Sequence, residues 1–146
     1  MKKQSTRARS ILLVACLILV LLAAGAQAGE LKPFTSDGCS SFPDGPPAAP
    51  DKWKNCCFEH DKAYWLGGTY TERSLADRAL KICIAEVENK VLADIMWAGV
   101  RAGGSPYWPT RFRWAYGWPY TRGYRAVTEA ERKLAESLLP EEKSSE

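Results

Sequence analysis

Apolar residues recur at helical spacing over a long stretch in the middle of the chain. Thr69-x-x-Glu72 has the spacing of a capping box, and apolar residues follow at intervals of three or four as far as Trp97. They are Leu75, Ala76, Ala79, Leu80, Ile82, Cys83, Val87, Val91, Leu92 and Ile95. Gly99 and Gly103-Gly104 then break the pattern. The stretch predicts one continuous helix ending at about Trp97.

A shorter helix is predicted just before this long one, and it contains the chain's single histidine, His60, next to Asp61. Pro50-Asp51 begins it, with Asp51 as the N-cap, and Gly67-Gly68 ends it. A helix turns about 100° per residue, so Cys56, His60 and Tyr64 share one face. Cys57 and Asp61 lie on the neighbouring face. Because the link between the two helices is short, we expect them to pack side by side and antiparallel.

The remaining segments are irregular, apart from a final amphipathic helix. Residues 33–50 are rich in proline and glycine, and residues 99–127 interleave arginine with aromatic residues. Thr128-x-x-Glu131 opens the last helix, which covers 128–139 and has Leu134 and Leu138 on its apolar side. Within the first of these segments, residues 35–45 are rich in oxygen donors, which are the ligands that calcium prefers. The fold class we expect is mainly α: a small disulfide-linked domain with two antiparallel helices and a calcium-binding loop, whose core spans 37–97.

The N-terminal residues have the three parts of a secretory signal peptide. Basic residues precede an apolar run at 11–24, and Ala26-Gln27-Ala28 resembles a cleavage site. The run is short for a membrane anchor, and a lipoprotein signal at Cys16 would leave an apolar new N-terminus. We therefore predict a signal peptide at 1–28 and one mature domain at 29–146. The protein would be exported, periplasmic or secreted, with membrane association open.

Charge and cysteine content narrow the function further. Of 20 Lys and Arg, four lie in the predicted signal peptide, leaving 16 against 17 Asp and Glu. The near-neutral balance does not favour nucleic acid as a partner, and we expect no organic cofactor. Four cysteines remain after cleavage: Cys39, Cys56, Cys57 and Cys83. An even number in an exported chain predicts two disulfides, with three pairings formally open and the adjacent pair disfavoured.

Two possible disulfides would each assemble a chemical site. If Cys56 pairs with Cys83, Asp77 arrives about level with His60 along the neighbouring helix, although its direction must be corrected by helix rotation. A carboxylate beside imidazole leaves the other ring nitrogen as a general base for water. If Cys57 pairs with Cys39, the loop 37–44 is held near Asp61, and its oxygens would suit calcium.

The shorter helix carries the motif Cys-Cys-x-x-His-Asp-x-x-Tyr, and the next helix carries an Asp six residues before a Cys. This pattern resembles the secreted phospholipase A2 superfamily over residues 37–83. The resemblance implies the disulfides Cys39–Cys57 and Cys56–Cys83. It implies His60 as base, Asp77 as its partner and Tyr64 as support for that carboxylate. Asp61 and the loop carbonyls near Gly38, Ser40 and Phe42 would bind Ca²⁺. Ser40 stands where the family donates an oxyanion N–H, and the short link and few disulfides resemble a minimal bacterial member.

Two functions follow from the resemblance. One is an exported carboxylic ester hydrolase, a calcium-dependent phospholipase A2-like enzyme that degrades lipid by cleaving the sn-2 acyl ester of glycerophospholipids. The other is a catalytically inactive envelope protein that binds calcium, lipid or a partner. The joint presence of His60, Asp61 and Asp77 favours the enzyme. For docking on a phospholipid membrane surface we predict the Arg/aromatic segment, with these side chains exposed: Trp108, Trp114, Trp118, Arg111 and Arg113.

Overall fold

The computed structural model describes residues 30–140, so the predicted signal peptide and residues 141–146 lie outside the described residues. Four α-helices and no strands are present within 30–140. The helices are α1 (Lys54–Leu66), α2 (Tyr70–Val87), α3 (Lys90–Gly103) and α4 (Glu129–Leu138). The protein is mainly helical, as expected. The disulfides Cys39–Cys57 and Cys56–Cys83 are both formed, which confirms the pairing implied by the resemblance.

Helix α1 begins later than the sequence predicts and ends where expected. Its N-cap is Trp53 and has no side-chain cap bond, so the prediction of Asp51 as N-cap is wrong. The cause lies in the preceding loop, where the Trp53 backbone N–H donates to the carbonyl of Asp44 at 2.9 Å and its indole N–H donates to that of Pro43 at 2.7 Å. Gly67 ends the helix at φ +76°, and a Cβ there would lie 2.4 Å from that of Ala115. Glycine is required at this position.

The single long helix predicted up to Trp97 is in fact two helices. The capping box of Thr69 and Glu72 opens α2 as predicted. Helix α2 stops at Val87, and Asn89 adopts an extended backbone while its side chain accepts a hydrogen bond from the Leu92 N–H at 2.9 Å. This side-chain cap starts α3, which continues to Gly103. The break lets α3 fold back along α2, so that Arg101 of α3 reaches the carboxylate of Asp77 on α2.

The apolar core has two parts. One surrounds the disulfides and includes Trp53, Leu80, Ile84 and Met96. The other lies at the opposite end of α1, and its main members are Leu31, Tyr64, Trp65, Trp114, Trp118 and Ala135. Several apolar residues of the helical pattern lie outside both: Leu75, Ile82, Val91 and Ile95 are exposed.

Most of the predicted membrane-facing residues in the irregular segment are buried. The Trp114 indole donates to the carbonyl of Gly68 at 2.9 Å, and that of Trp118 donates to the carbonyl of Leu66 at 2.7 Å. Arg113 is buried too and donates to the Trp118 carbonyl at 2.6 Å. The prediction that Trp114, Trp118 and Arg113 face a membrane is therefore wrong: the indole N–H groups find partners in the α1–α2 turn, and the rings fill the core. Trp108 and Arg111 are exposed.

The last helix starts at the predicted capping box but presents a different inner face. Thr128 and Glu131 form the box. Leu134 is 42% exposed, contrary to its prediction as an inward residue, whereas Glu131 and Ala135 are buried. The side chain of Glu131 bonds Arg122 at 2.9 Å and Arg125 at 2.7 Å, and these contacts orient the helix.

Candidate active site

His60 and Asp77 meet between α1 and α2, at the height that the spacing from the Cys56–Cys83 disulfide predicts. The Nε2 atom of His60 lies 3.0 Å from Oδ1 of Asp77. His60 is 8% exposed and Asp77 is fully buried. A fixed pair of imidazole and carboxylate is the arrangement that orients a general base.

The Asp77 carboxylate has four polar neighbours, of which His60 is one. Oδ1 also accepts the Tyr64 hydroxyl at 2.7 Å, while Oδ2 accepts Arg101 at 2.8 Å and lies 3.8 Å from Arg73. Burial opposes ionisation of Asp77, but the hydrogen bonds from His60, Tyr64 and Arg101 hold its pKa below the ordinary value. Asp77 is therefore a carboxylate, and Tyr64 supports it as the resemblance implies.

The ionised state of Asp77 fixes the tautomer of His60. A carboxylate only accepts hydrogen bonds, so Nε2 of His60 carries the proton that lies between them. The neutral ring then has its lone pair on Nδ1, and within residues 30–140 no protein group bonds that atom. Nδ1 is the atom available to take a proton from water.

Sequence reasoning missed two residues of this network, Arg73 and Arg101. Arg73 is buried; its Nε donates to the Tyr64 hydroxyl at 3.0 Å and its NH2 to the carbonyls of Val100 and Arg101, both at 2.9 Å. The only signal for Arg73 was its position four residues before Asp77, where it shares a helix face. Arg101 gave less signal, because the helix was predicted to end before it.

An apolar cleft of about 390 Å³ opens beside this pair. Helix α3 provides much of its wall through Ile95, Met96 and Val100, and His60 and Asp61 also line it. The 38–42 loop and Phe112 contribute further lining. The cleft thus joins an apolar wall, which suits an acyl chain, to the polar side chains of α1.

Asp61 is a residue of α1 whose side chain bonds Ser36, just before the 37–44 loop, and it has features of a cation ligand. Its Oδ2 accepts the Ser36 hydroxyl at 2.6 Å, and within residues 30–140 no Lys or Arg pairs with it. Burial raises the pKa of Asp61 to about 7, and the nearby charges of Asp37 and Asp44 add to the rise, while the Ser36 bond opposes it. A half-buried carboxylate beside two other acids is an environment that a divalent cation would relieve.

A cation at this loop would depend on backbone oxygens rather than on a cluster of side chains. No three His, Cys, Asp or Glu side chains group together to hold a metal within 30–140. The loop carbonyls of Gly38, Ser40 and Phe42 accept no hydrogen bond from protein groups in that range. Gly38 has φ +74°, and a Cβ there would lie 2.3 Å from Oδ1 of Asp44, so the turn needs glycine. Carboxylate and carbonyl oxygens are the ligands calcium prefers.

Comparisons with known proteins add no assignment. No family model, curated protein or solved structure matches the chain. Within residues 30–140, no helix is both long and apolar enough to cross a membrane.

Proposed function

We propose that the protein is an exported, calcium-dependent phospholipase A2-like hydrolase that cleaves the sn-2 acyl ester of glycerophospholipids. The single observation that carries the proposal is the 3.0 Å contact between His60 Nε2 and buried Asp77, placed on the wall of an apolar cleft. An antiparallel α1–α2 pair is part of the proposal. It is supported by contacts that run down α2 as they run up α1: Cys56 with Cys83, His60 with Asp77, and Tyr64 with Arg73.

In the reaction we propose, Nδ1 of His60 takes a proton from a water molecule as the water oxygen attacks the ester carbonyl. Asp77 stabilises the imidazolium that forms, and the Tyr64 hydroxyl and Arg101 hold the carboxylate in place. His60 then returns the proton to the glycerol oxygen as the carbonyl–oxygen bond breaks. The products are a fatty acid and a lysophospholipid.

The charge that develops on the ester oxygen needs a donor or a cation. The Ser40 N–H has no protein partner within residues 30–140 and lines the cleft, so it is the donor we assign to this oxygen. Asp61 and the carbonyls of Gly38, Ser40 and Phe42 would hold Ca²⁺. When bound, calcium would polarise the ester carbonyl and stabilise its negative charge.

One observation favours the second candidate, an inactive protein that binds calcium, lipid or a partner. The Ser36 hydroxyl occupies Oδ2 of Asp61 at 2.6 Å, so one oxygen of the proposed calcium ligand already has a protein partner. Under this alternative the cleft would hold an acyl chain without hydrolysis. The two candidates therefore differ in whether bound lipid is cleaved.

A single assay separates them. Vesicles of phosphatidylglycerol labelled in the sn-2 acyl chain are incubated with the purified mature protein, in calcium and in chelator. The enzyme should release labelled fatty acid in calcium only. The co-product should be the lysophospholipid that keeps its acyl chain at sn-1. Calcium-dependent vesicle binding without release would identify the binding protein, and equal release in chelator would exclude a calcium mechanism.

A further inference from the structure

Arg73 and Arg101 leave one positive charge unbalanced behind the His60–Asp77 pair. Asp77 is the only acid that forms an ion pair with either arginine within residues 30–140. Arg73 has little donor capacity left, because four of its five N–H groups are bonded, one of them to the Tyr124 hydroxyl at 2.7 Å. Arg101 is partly exposed, at 23% of its side chain, and so carries the excess charge to the surface.

That surface is a second cleft, of about 840 Å³, between the outer faces of α2 and α3. Arg78, Lys81, Lys90 and Arg101 line it, against one acid, Asp94. Asp94 is paired with Lys81. Within residues 30–140 neither Arg78 nor Lys90 has an ion-pair partner. The cleft therefore keeps a net positive charge, which favours an anion.

Hydrogen-bond donors gather at the Arg101 end of this cleft. Arg101 bonds the Tyr70 hydroxyl at 2.9 Å and lies 3.4 Å from that of Ser74. Arg78 stands one helical turn after Ser74, on the same face of α2. Trp97 adds an aromatic wall. Guanidinium groups flanked by hydroxyls suit a phosphoryl group, which offers more acceptor oxygens than a carboxylate ligand does.

We propose that the α2–α3 cleft binds a phosphoryl group through Arg78 and Arg101, and that its occupancy is transmitted to His60 through Asp77. Arg101 is the link, because the guanidinium that would bond the phosphoryl oxygens also bonds Oδ2 of Asp77 at 2.8 Å. A phosphoryl group bound to Arg101 would change the electrostatic field at Asp77. His60 would sense the change, because its ring bonds the same carboxylate. The inference needs these contacts only and does not depend on hydrolysis.

Phosphoryl groups could reach the cleft as free phosphate or as a glycerophosphate headgroup. NMR titration of the full mature chain with inorganic phosphate, and separately with sn-glycerol 3-phosphate, distinguishes the two at constant ionic strength. The Trp97 indole signal reports on the cleft. His60 is the only histidine of the chain, so its ring nitrogens report on the pair without ambiguity. Tighter binding of glycerol 3-phosphate would identify the headgroup, and equal affinities would identify free phosphate.

We expect both signals to shift saturably with the same midpoint. Arg78→Ala should weaken binding by about tenfold or more, because a hydrogen bond to a charged group is lost, and Arg78→Lys should restore part of it. Arg132→Ala removes the same charge from another surface and should leave the midpoint unchanged. The proposal is wrong if Arg78→Ala binds as tightly as the wild type, if no saturation occurs, or if Trp97 shifts while His60 does not.

Discussion

Asp77 balances more charge than any other side chain of the candidate site. Its two oxygens accept from His60, Tyr64 and Arg101, and Arg73 lies 3.8 Å away. A neutral residue at this position would leave two arginines, one of them fully enclosed, without an acid. Asp77 therefore supports the fold as well as holding His60, which the sequence alone did not indicate.

Replacing Asp77 with Asn should accordingly affect stability and turnover together. We expect the free energy of unfolding to fall by about 3–5 kcal/mol, the usual result of removing one partner from a buried ion pair. Turnover of the fully folded fraction should fall by about a hundredfold or more, because His60 loses its orientation. Urea unfolding measures the first effect, and ester hydrolysis at low temperature measures the second.

Tyr64→Phe is the matched control for Asp77→Asn, since it removes one hydroxyl and no charge. It should cost about 1 kcal/mol of stability and keep most of the turnover. If Asp77→Asn proved as stable and as active as Tyr64→Phe, the role given to the carboxylate would be incorrect.

The sequence predicted the meeting of His60 and Asp77 but not the arginines around it. The meeting followed from helical rise measured from a disulfide, which is insensitive to side-chain detail. The placement of Arg73 and Arg101 beside Asp77 depends on the rotation of α2 about its axis and on the length of α3. Neither quantity can be read from apolar spacing.

Asp61→Asn should remove calcium binding, because this half-buried carboxylate supplies the only side-chain charge among the proposed ligands. Calorimetric titration should show no calcium binding for this variant, with the fold unchanged by circular dichroism. His60→Gln should bind calcium like the wild type. Loss of calcium binding in His60→Gln, or its retention in Asp61→Asn, would contradict the proposed ligand set.

At the scale of elements, the N-terminus of α4 is held by one acid. Glu131 accepts from Arg122, Arg125 and the Thr128 N–H. Burial opposes its ionisation, but the bonds from Arg122, Thr128 and Arg125 lower the pKa of Glu131 to about 2. A pKa that is lower in the folded state means that ionisation stabilises the fold.

This contribution should be complete above about pH 4.5 and should be lost as the pH falls towards 2, through the folded pKa. Glu131→Gln should reduce the free energy of unfolding near pH 7 by roughly 3 kcal/mol. Urea unfolding between pH 2 and 7 should also show a flatter acid limb for the variant. Identical acid limbs for wild type and variant would contradict the assignment, and Glu136→Gln, on an exposed position of the same helix, is the control.

The helix starts were predictable where a capping box marks them, and the starts without a capping box were missed or misplaced. The capping boxes at Thr69 and Thr128 were both recognised from spacing and are both present. The break before α3 was missed because apolar residues continue at helical spacing on both sides of it. Asn89 was its only signal, since asparagine is a good N-cap.

At the scale of the whole molecule, the exposed and buried aromatic residues of the irregular segment should behave oppositely. Trp108→Ala should weaken binding to phosphatidylglycerol vesicles and leave the melting temperature unchanged, since its ring is 56% exposed. Trp114→Ala should lower stability by about 3–5 kcal/mol, because it empties a core position. Vesicle co-sedimentation and thermal unfolding measure the two effects. If Trp108→Ala bound vesicles normally, this residue would not belong to the docking surface.

The burial of this segment could not be predicted from its composition. Arginine and aromatic residues without acids are typical both of membrane-facing surfaces and of loops that pack over a small core. Which of the two applies depends on carbonyl partners such as those of Leu66 and Gly68, which lie far away in sequence. Composition shows that aromatic side chains are concentrated here, but it does not show whether they face the core or the solvent.

The central claim is that His60 is the base of an ester hydrolase, and comparing His60→Gln with Glu59→Gln tests it most directly. Glu59 is the residue next to His60 on α1, and its side chain is 55% exposed. Glu59→Gln therefore introduces the same amide side chain at a neighbouring position without removing the imidazole. The rate of sn-2 fatty acid release from phosphatidylglycerol vesicles in calcium should be at background for His60→Gln and at the wild-type level for Glu59→Gln. Release by His60→Gln at the wild-type rate would contradict the account.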